Sequence, residues 1–297
     1  MSRLLSRGKN HCPGVGAYAI LFPGVKKKVE ALRIALAQIV SLPGRGEDNA
    51  RKLEVFLRRA AEGGAALVLF PECSLTGYAP ESAARDALSP DGPLVRSVEE
   101  ASLRTGVAVC FGYAERGEPL PFITQELFSG GERILYRKTH TGIREREHFR
   151  PGDEFPLLRA AGAAWGMQLC WESHIPDIST VLRRRGAEAL LVPYAAGPGG
   201  GRCRENWLVH LPARASDNGV WLAACNALRR ESGGALAGGG GMVIDPRGRI
   251  AAEFFEPEEH VLFCDISGPL PREQDGGMGR ISYFDRRREE LYGFDAE

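Results

Sequence analysis

The sequence has no excess of charge of either sign: Lys plus Arg and Asp plus Glu each total 38 in 297 residues. Nucleic-acid binding modules carry a basic excess, so that class of partner is disfavoured. Disorder needs low hydrophobicity and high net charge, whereas AVILMFWYC residues make up 43% here. Long apolar runs are also missing, and none approaches the roughly 18 residues of a membrane helix. The longest candidate, Gly14 to Val25, is interrupted by glycines and Pro23. The seven cysteines are odd in number, irregularly spaced and free of any CxxC pattern. That argues against a disulfide framework and against a zinc cluster. The six histidines are scattered without ligand spacing, so no metal is expected. Single cysteines in a chain of this length predict a reducing compartment and a cytoplasmic location. Lysine is scarce, with only Lys9, Lys26, Lys27, Lys28, Lys52 and Lys138 beside abundant arginine.

Residues 1–30 combine Arg3, Arg7 and Lys9 with a weak apolar stretch and then Lys26-Lys27-Lys28. No small-x-small cleavage site follows, so they read as a loosely ordered extension before a single domain over 31–297. From Leu32 onward, short apolar runs alternate with helical patterns. Leu32 to Ile39, Ala65 to Phe70, Val107 to Gly112 and Trp165 to Cys170 read as strands. Asp48 to Glu62 reads as an amphipathic helix, with Leu53, Phe56, Leu57 and Ala60 on one face. Phe122 to Phe128 and Arg133 to Arg137 flank a glycine turn and predict a hairpin. Arg202 to Asp217 predicts one continuous helix. Such alternation predicts an α/β fold with helices covering sheet faces.

Three predicted strands end at a reactive side chain: Glu72 after Leu67–Phe70, Lys138 after Ile134–Arg137, and Cys170 after Trp165–Leu169. Open α/β sheets bind ligands outside the carboxyl ends of their strands. A carboxylate, an ammonium and a thiol are therefore expected to converge at one sheet edge. Taken singly, each has an ordinary reading. A glutamate or lysine after a strand is usually solvated, and a cysteine closing a strand is usually a small buried hydrophobe. Lys138 is the more notable because arginine cannot replace lysine where a compact charge is required.

The ordered blocks around these residues resemble the carbon-nitrogen hydrolase (nitrilase) superfamily. They are Phe70-Pro71-Glu72 with Leu75-Thr76-Gly77-Tyr78, Tyr136-Arg137-Lys138-Thr139-His140, and Glu145 before Phe149-Arg150-Pro151-Gly152. Gly166-Met167-Gln168-Leu169-Cys170-Trp171-Glu172, Ala213-Arg214-Ala215 and Gly241 to Gly248 complete the series. The resemblance runs from Leu32 to about Tyr292. It implies a single-domain four-layer α-β-β-α sandwich, commonly a homodimer or higher homo-oligomer, acting on a small-molecule substrate without metal or organic cofactor. It also implies a Glu72-Lys138-Cys170 triad, with Cys170 as nucleophile, Glu72 as proton carrier and Lys138 as oxyanion partner. A second glutamate falls on Glu145 and is expected to orient Lys138 or the substrate. Trp171, Glu172, His174 and Tyr194 lie just after strand ends and are expected to line the substrate pocket.

Two departures bear on substrate. The short spacing from Lys138 to Glu145 and the Cys170-Trp171-Glu172 run resemble true nitrilases. Leu75-Thr76-Gly77-Tyr78 and His174-Ile175-Pro176-Asp177 are closer to the amidase branches. The balance favours an amidase acting on a small amide or N-carbamoyl compound through a thioester. A nitrilase, and a catalytically silent binding protein, are the rival readings.

Overall fold

The computed structural model describes residues 31–195 and 202–267, together with residues 284, 287, 288 and 291. The expected extension over residues 1–30 lies outside the described residues. The first half of the chain runs β1 (Leu32–Gln38), α1 (Gly46–Glu62), β2 (Leu67–Leu69), α2 (Ala83–Asp86) and α3 (Pro93–Thr105). It continues through β3 (Ala108–Glu115), β4 (Phe122–Ser129) and β5 (Glu132–Arg137). The second half starts with β6 (Leu158–Ala160), β7 (Ala163–Met167), α4 (Pro176–Arg184) and β8 (Ala189–Tyr194). Then come α5 (Cys203–Leu208), α6 (Leu211–Asn218), β9 (Trp221–Asn226), β10 (Leu228–Arg230) and β11 (Leu236–Gly238). Strands β12 (Gly241–Ile244), β13 (Ile250–Phe254) and β14 (His260–Ile266) complete the order.

Two six-stranded sheets result, ordered β14-β1-β2-β3-β4-β5 and β13-β12-β9-β8-β7-β6. The period-two pattern of the strands explains how they stack. On β3, Cys110 and Ala114 point between the sheets, while Val109, Phe111 and Tyr113 point the other way. The inner layer joins Leu36, Leu69 and Ile123 of the first sheet to Trp165, Met167 and Leu191 of the second. Leu53, Phe56, Leu57 and Ala60 of α1, with Val95 and Val98 of α3, cover the outer face of the first sheet. Ile178 and Leu182 of α4 and Leu211 and Ala215 of α6 cover the outer face of the second. The layers therefore run α-β-β-α, as the resemblance implied. Burying each Leu, Ile or Phe of these layers contributes about 1.5–3 kcal/mol.

The expected helix over Arg202 to Asp217 is two helices. Pro212 lies in the first turn of α6, where its missing N–H costs nothing, but inside one long helix its ring would clash with the carbonyl one turn back. The chain breaks at His210, whose φ of −136° is not helical. Among the described residues no helix is long and apolar enough to cross a membrane.

Candidate active site

Glu72 reaches its place because the chain leaving β2 turns across the inner face of the first sheet. Phe70 N–H donates to the Cys110 carbonyl at 2.8 Å, and Leu75 N–H to the Gly112 carbonyl at 2.8 Å. Gln125 Nε2 on β4 donates to the Phe70 carbonyl at 3.2 Å. The crossing is close enough that Gly112 must be glycine: a Cβ there would lie 2.5 Å from the Cys73 nitrogen. Cys73 itself sits at φ 54°, in the left-handed region. Glu72 ends 1% exposed, above strands that separate it from β5.

Lys138 arrives from the end of β5. The strand is parallel to β2, since β3, β4 and β5 are joined by two antiparallel pairings, so both carboxyl ends lie on one edge. Lys138 is fully buried, and its Nζ donates to Glu72 Oε1 and Glu145 Oε1, each at 2.9 Å. Glu145 is fixed in turn by the Tyr78 hydroxyl at 3.0 Å and by the Gly142 N–H. Burial works against the ammonium, but the charges of Glu72, Cys170 and Glu145 outweigh it and hold the Lys138 pKa well above the usual lysine value. Burial lifts the Glu72 carboxyl to about 7, even though Lys138 pulls it down. The Ala195 N–H, at the end of β8, donates to Glu72 Oε2 at 3.1 Å.

Cys170 comes from the other sheet. The strand expected to run to Cys170 stops at Met167, and Cys170 opens a 3-10 helix over Cys170–His174. Ile175 is held extended ahead of Pro176, which starts α4, so the turn stays short. Cys170 takes φ 48°, a left-handed conformation that side chains other than glycine rarely adopt. Arg214 of α6 clamps the turn, donating to the carbonyls of Ser173 at 2.9 Å and His174 at 3.3 Å. Burial and the Glu72 charge push the Cys170 thiol up to about 12, against the pull of Lys138 and of the Ala195 N–H. The three groups thus meet between two sheets, not along one sheet edge.

A cavity of about 640 Å³ opens onto Glu72 and Cys170. Trp171, His174 and Tyr194 line it as expected from the sequence, and Trp171 remains 43% exposed. Glu172 does not line it. Its carboxylate is fully buried and receives the Tyr136 hydroxyl at 2.8 Å and the Leu169 N–H at 2.7 Å. The Thr139 N–H at 2.7 Å and the His140 N–H at 3.0 Å also converge on it. Burial works to raise its pKa, yet hydrogen bonds from His140, Leu169 and Thr139 outweigh it and hold the carboxyl below its ordinary value. Glu172 therefore ties the segment after Lys138 to the segment before Cys170.

Other lining residues escaped the sequence reading. Trp207, His210 and Phe255 form an aromatic wall, with Tyr194 and Trp207 ring centroids 4.8 Å apart. His210 stacks on His174 at 4.2 Å, and burial lowers its pKa to about 4, so it is neutral at physiological pH. The break between α5 and α6 that exposes His210 to the cavity is invisible in a continuous helical pattern. Arg204, also at the cavity, is paired with Glu253 at 2.9 Å. Among the described residues, no group of three or more His, Cys, Asp or Glu side chains is arranged to hold a metal ion.

The sequence matches the carbon-nitrogen hydrolase family model over residues 33–271. An (R)-stereoselective amidase of a Pseudomonas species is 30% identical over 243 residues, covering 77% of this chain and 84% of the relative. A probable nitrilase of Schizosaccharomyces pombe is 24% identical over 264 residues, covering 82% of this chain and 91% of the relative. A solved structure of a variant of the amidase from Nesterenkonia sp. AN1 superposes with a TM-score of 0.75 at 27% identity, covering 91% of this chain and 98% of that one. That structure carries a covalently added acetamide moiety of fluoroacetamide on its active-site cysteine. The family match takes in both sheets and every residue placed around the cavity: the chain belongs to the carbon-nitrogen hydrolase family.

Proposed function

We propose that this protein is an amidase that hydrolyses a small amide or N-carbamoyl compound through a thioester on Cys170, with Glu72, Lys138 and Cys170 as its catalytic triad. One observation carries the reading: the Cys170 thiol and the buried Glu72 carboxyl open onto one cavity, with the buried Lys138 ammonium hydrogen-bonded to that carboxyl at 2.9 Å. These surroundings raise the carboxyl to about 7 and push the thiol up to about 12. A thiol that high does not ionise by itself at neutral pH and needs a base in contact with it. A carboxyl near 7 is matched to both halves of that proton cycle. The amidase relatives, and the cysteine adduct in one of them, support the same assignment.

The steps follow. Glu72 takes the Sγ proton as the sulfur attacks the carbonyl carbon. Negative charge collects on the former carbonyl oxygen, where the Lys138 charge and the Trp171 N–H stabilise it. The Trp171 N–H has no acceptor among the described residues. Collapse expels the nitrogen, which takes the proton from Glu72 and leaves as ammonia or amine. Water then gives a proton to Glu72 and attacks the thioester. The second collapse releases the acid, and the proton returns to sulfur. Glu145 holds Lys138 in place throughout. Trp171, His174 and Tyr194 shape the space for the acyl group.

Ammonia or amine release from a panel of small amides, N-carbamoyl compounds and nitriles tests the proposal, with Cys170→Ala as control. Release from amides or carbamoyl compounds, abolished by Cys170→Ala, is expected. Turnover of nitriles alone would move the protein to the nitrilase reading. Silence across the panel, with no selective alkylation of Cys170, would favour a binding protein.

A further inference from the structure

Behind Cys170 lies a chain of hydroxyl and imidazole groups whose hydrogen bonds none of these steps uses. The buried Ser173 hydroxyl donates to the Cys170 carbonyl at 2.7 Å. Its oxygen accepts the Tyr194 hydroxyl at 2.7 Å, and His210 Nε2 lies 3.0 Å away. His210 Nδ1 lies 3.1 Å from the Asn206 carbonyl, which can only accept, so Nδ1 carries the ring proton and Nε2 is an acceptor. Ser173 has one hydroxyl proton. The nearer Cys170 carbonyl takes it in competition with His210, and Tyr194 supplies the donor that strengthens it.

The Cys170 carbonyl and the Trp171 N–H belong to one rigid peptide plane. A hydrogen bond to the carbonyl polarises that plane and leaves more positive charge on its N–H. It also fixes the plane's rotation. This matters because Cys170 sits at φ 48°, which the chain does not adopt unless surrounding contacts impose it. The N–H of that plane, which has no acceptor among the described residues, is the donor assigned above to the oxyanion.

We infer that Ser173, backed by Tyr194, is a positioning residue that aims and strengthens the Trp171 N–H as an oxyanion donor. Ser173 touches no reacting atom, and the inference rests on the amidase reading of the same site.

Ser173→Ala in the full chain, compared with the unsubstituted protein, separates this role from simple support. The measurements are kcat and KM on the best amide, and affinity for the aldehyde of the same acyl group. The Cys170 thiol adds across that aldehyde's C=O bond, giving a thiohemiacetal with no leaving group. A further measurement is the rate at which allyl bromide alkylates Cys170, a displacement of bromide that forms no oxyanion. The variant is expected to lose about tenfold in kcat and the same factor in aldehyde affinity, with KM and alkylation rate within about twofold. Ser173→Thr, which keeps the hydroxyl, restores most of the loss. Tyr194→Phe shifts the same readouts in the same direction by less, and carries the test if Ser173→Ala does not fold. An alkylation rate that falls in step with kcat would show that Ser173 only holds the sulfur in place. Unchanged aldehyde affinity would equally overturn the inference. An unsubstituted protein that neither turns over amides nor binds the aldehyde would instead remove the amidase reading itself.

Discussion

Glu72 feels opposing influences at a single carboxyl. Burial drives it toward the neutral form, and Lys138 at 2.9 Å drives it toward the charged one. The outcome, about 7, sets the pH response. A base must be ionised to take the thiol proton, so kcat/KM should rise with pH through about 7 and then level off. A pH profile of amide hydrolysis checks this. Glu72→Gln should abolish the titration and lower kcat by about 10²–10⁴-fold while leaving the fold intact. Lys138 explains why one lysine stands out in an arginine-rich chain. Its amine fits, fully buried, between Glu72 and Glu145, where the wider planar guanidinium of arginine does not.

Between single residues and the whole fold, the segment leaving β2 is the most constrained element. It lies on β3 at Gly112, where a Cβ would press on the backbone nitrogen of Cys73 at 2.5 Å. Gly112→Ala should therefore push the segment carrying Glu72 away from Lys138. Overpacking of this kind costs about 1–3 kcal/mol. The expected result is a lower melting temperature together with a fall in kcat of about tenfold or more. Thermal melts and steady-state kinetics on the same preparation read both. A variant with lower stability and unchanged kcat would show that the segment re-seats without moving the carboxyl.

Across the whole molecule, the site depends on the two sheets being held in register. Glu172 does much of this, accepting from Tyr136 and the segment after β5 on one side and from Leu169 on the other. Glu172→Gln puts an amide donor among donors and should cost about 2–4 kcal/mol, with activity falling alongside. Its folded-state pKa is depressed, so its contribution is present above the unfolded value and is lost as pH falls through the folded one. Glu126 has the opposite sign. It is buried on the outer face of the first sheet, accepts the Tyr113 hydroxyl at 2.9 Å, and is lifted by burial to about 8. Between the ordinary value of 4.5 and about 8 the unfolded chain releases this proton and the folded chain keeps it. Stability should thus decline as pH rises through that window, and Glu126→Gln should flatten the decline. Denaturant melts from pH 5 to pH 9 on both proteins measure it.

Local sequence was enough to place most elements, because period-two and period-3.6 patterns record which face of each strand or helix is buried. Leu53, Phe56, Leu57 and Ala60 are all buried on one face of α1, as their spacing required. The reactive positions Glu72, Lys138 and Cys170 were legible as chemistry at strand ends, and with the family blocks around them as one candidate site. Tertiary structure alone decided how they meet. Residues 72, 138 and 170 come from two stacked sheets, and sheet stacking is set by inner-face side chains far apart in sequence. The same distance hid the tie made by Glu172, which local reading placed in the pocket. It hid the Arg214 clamp and the bond from Ser173 to the Cys170 carbonyl as well. A sequence records which side chains must be buried. Which buried polar groups then become partners depends on directions and separations that only the packed layers fix.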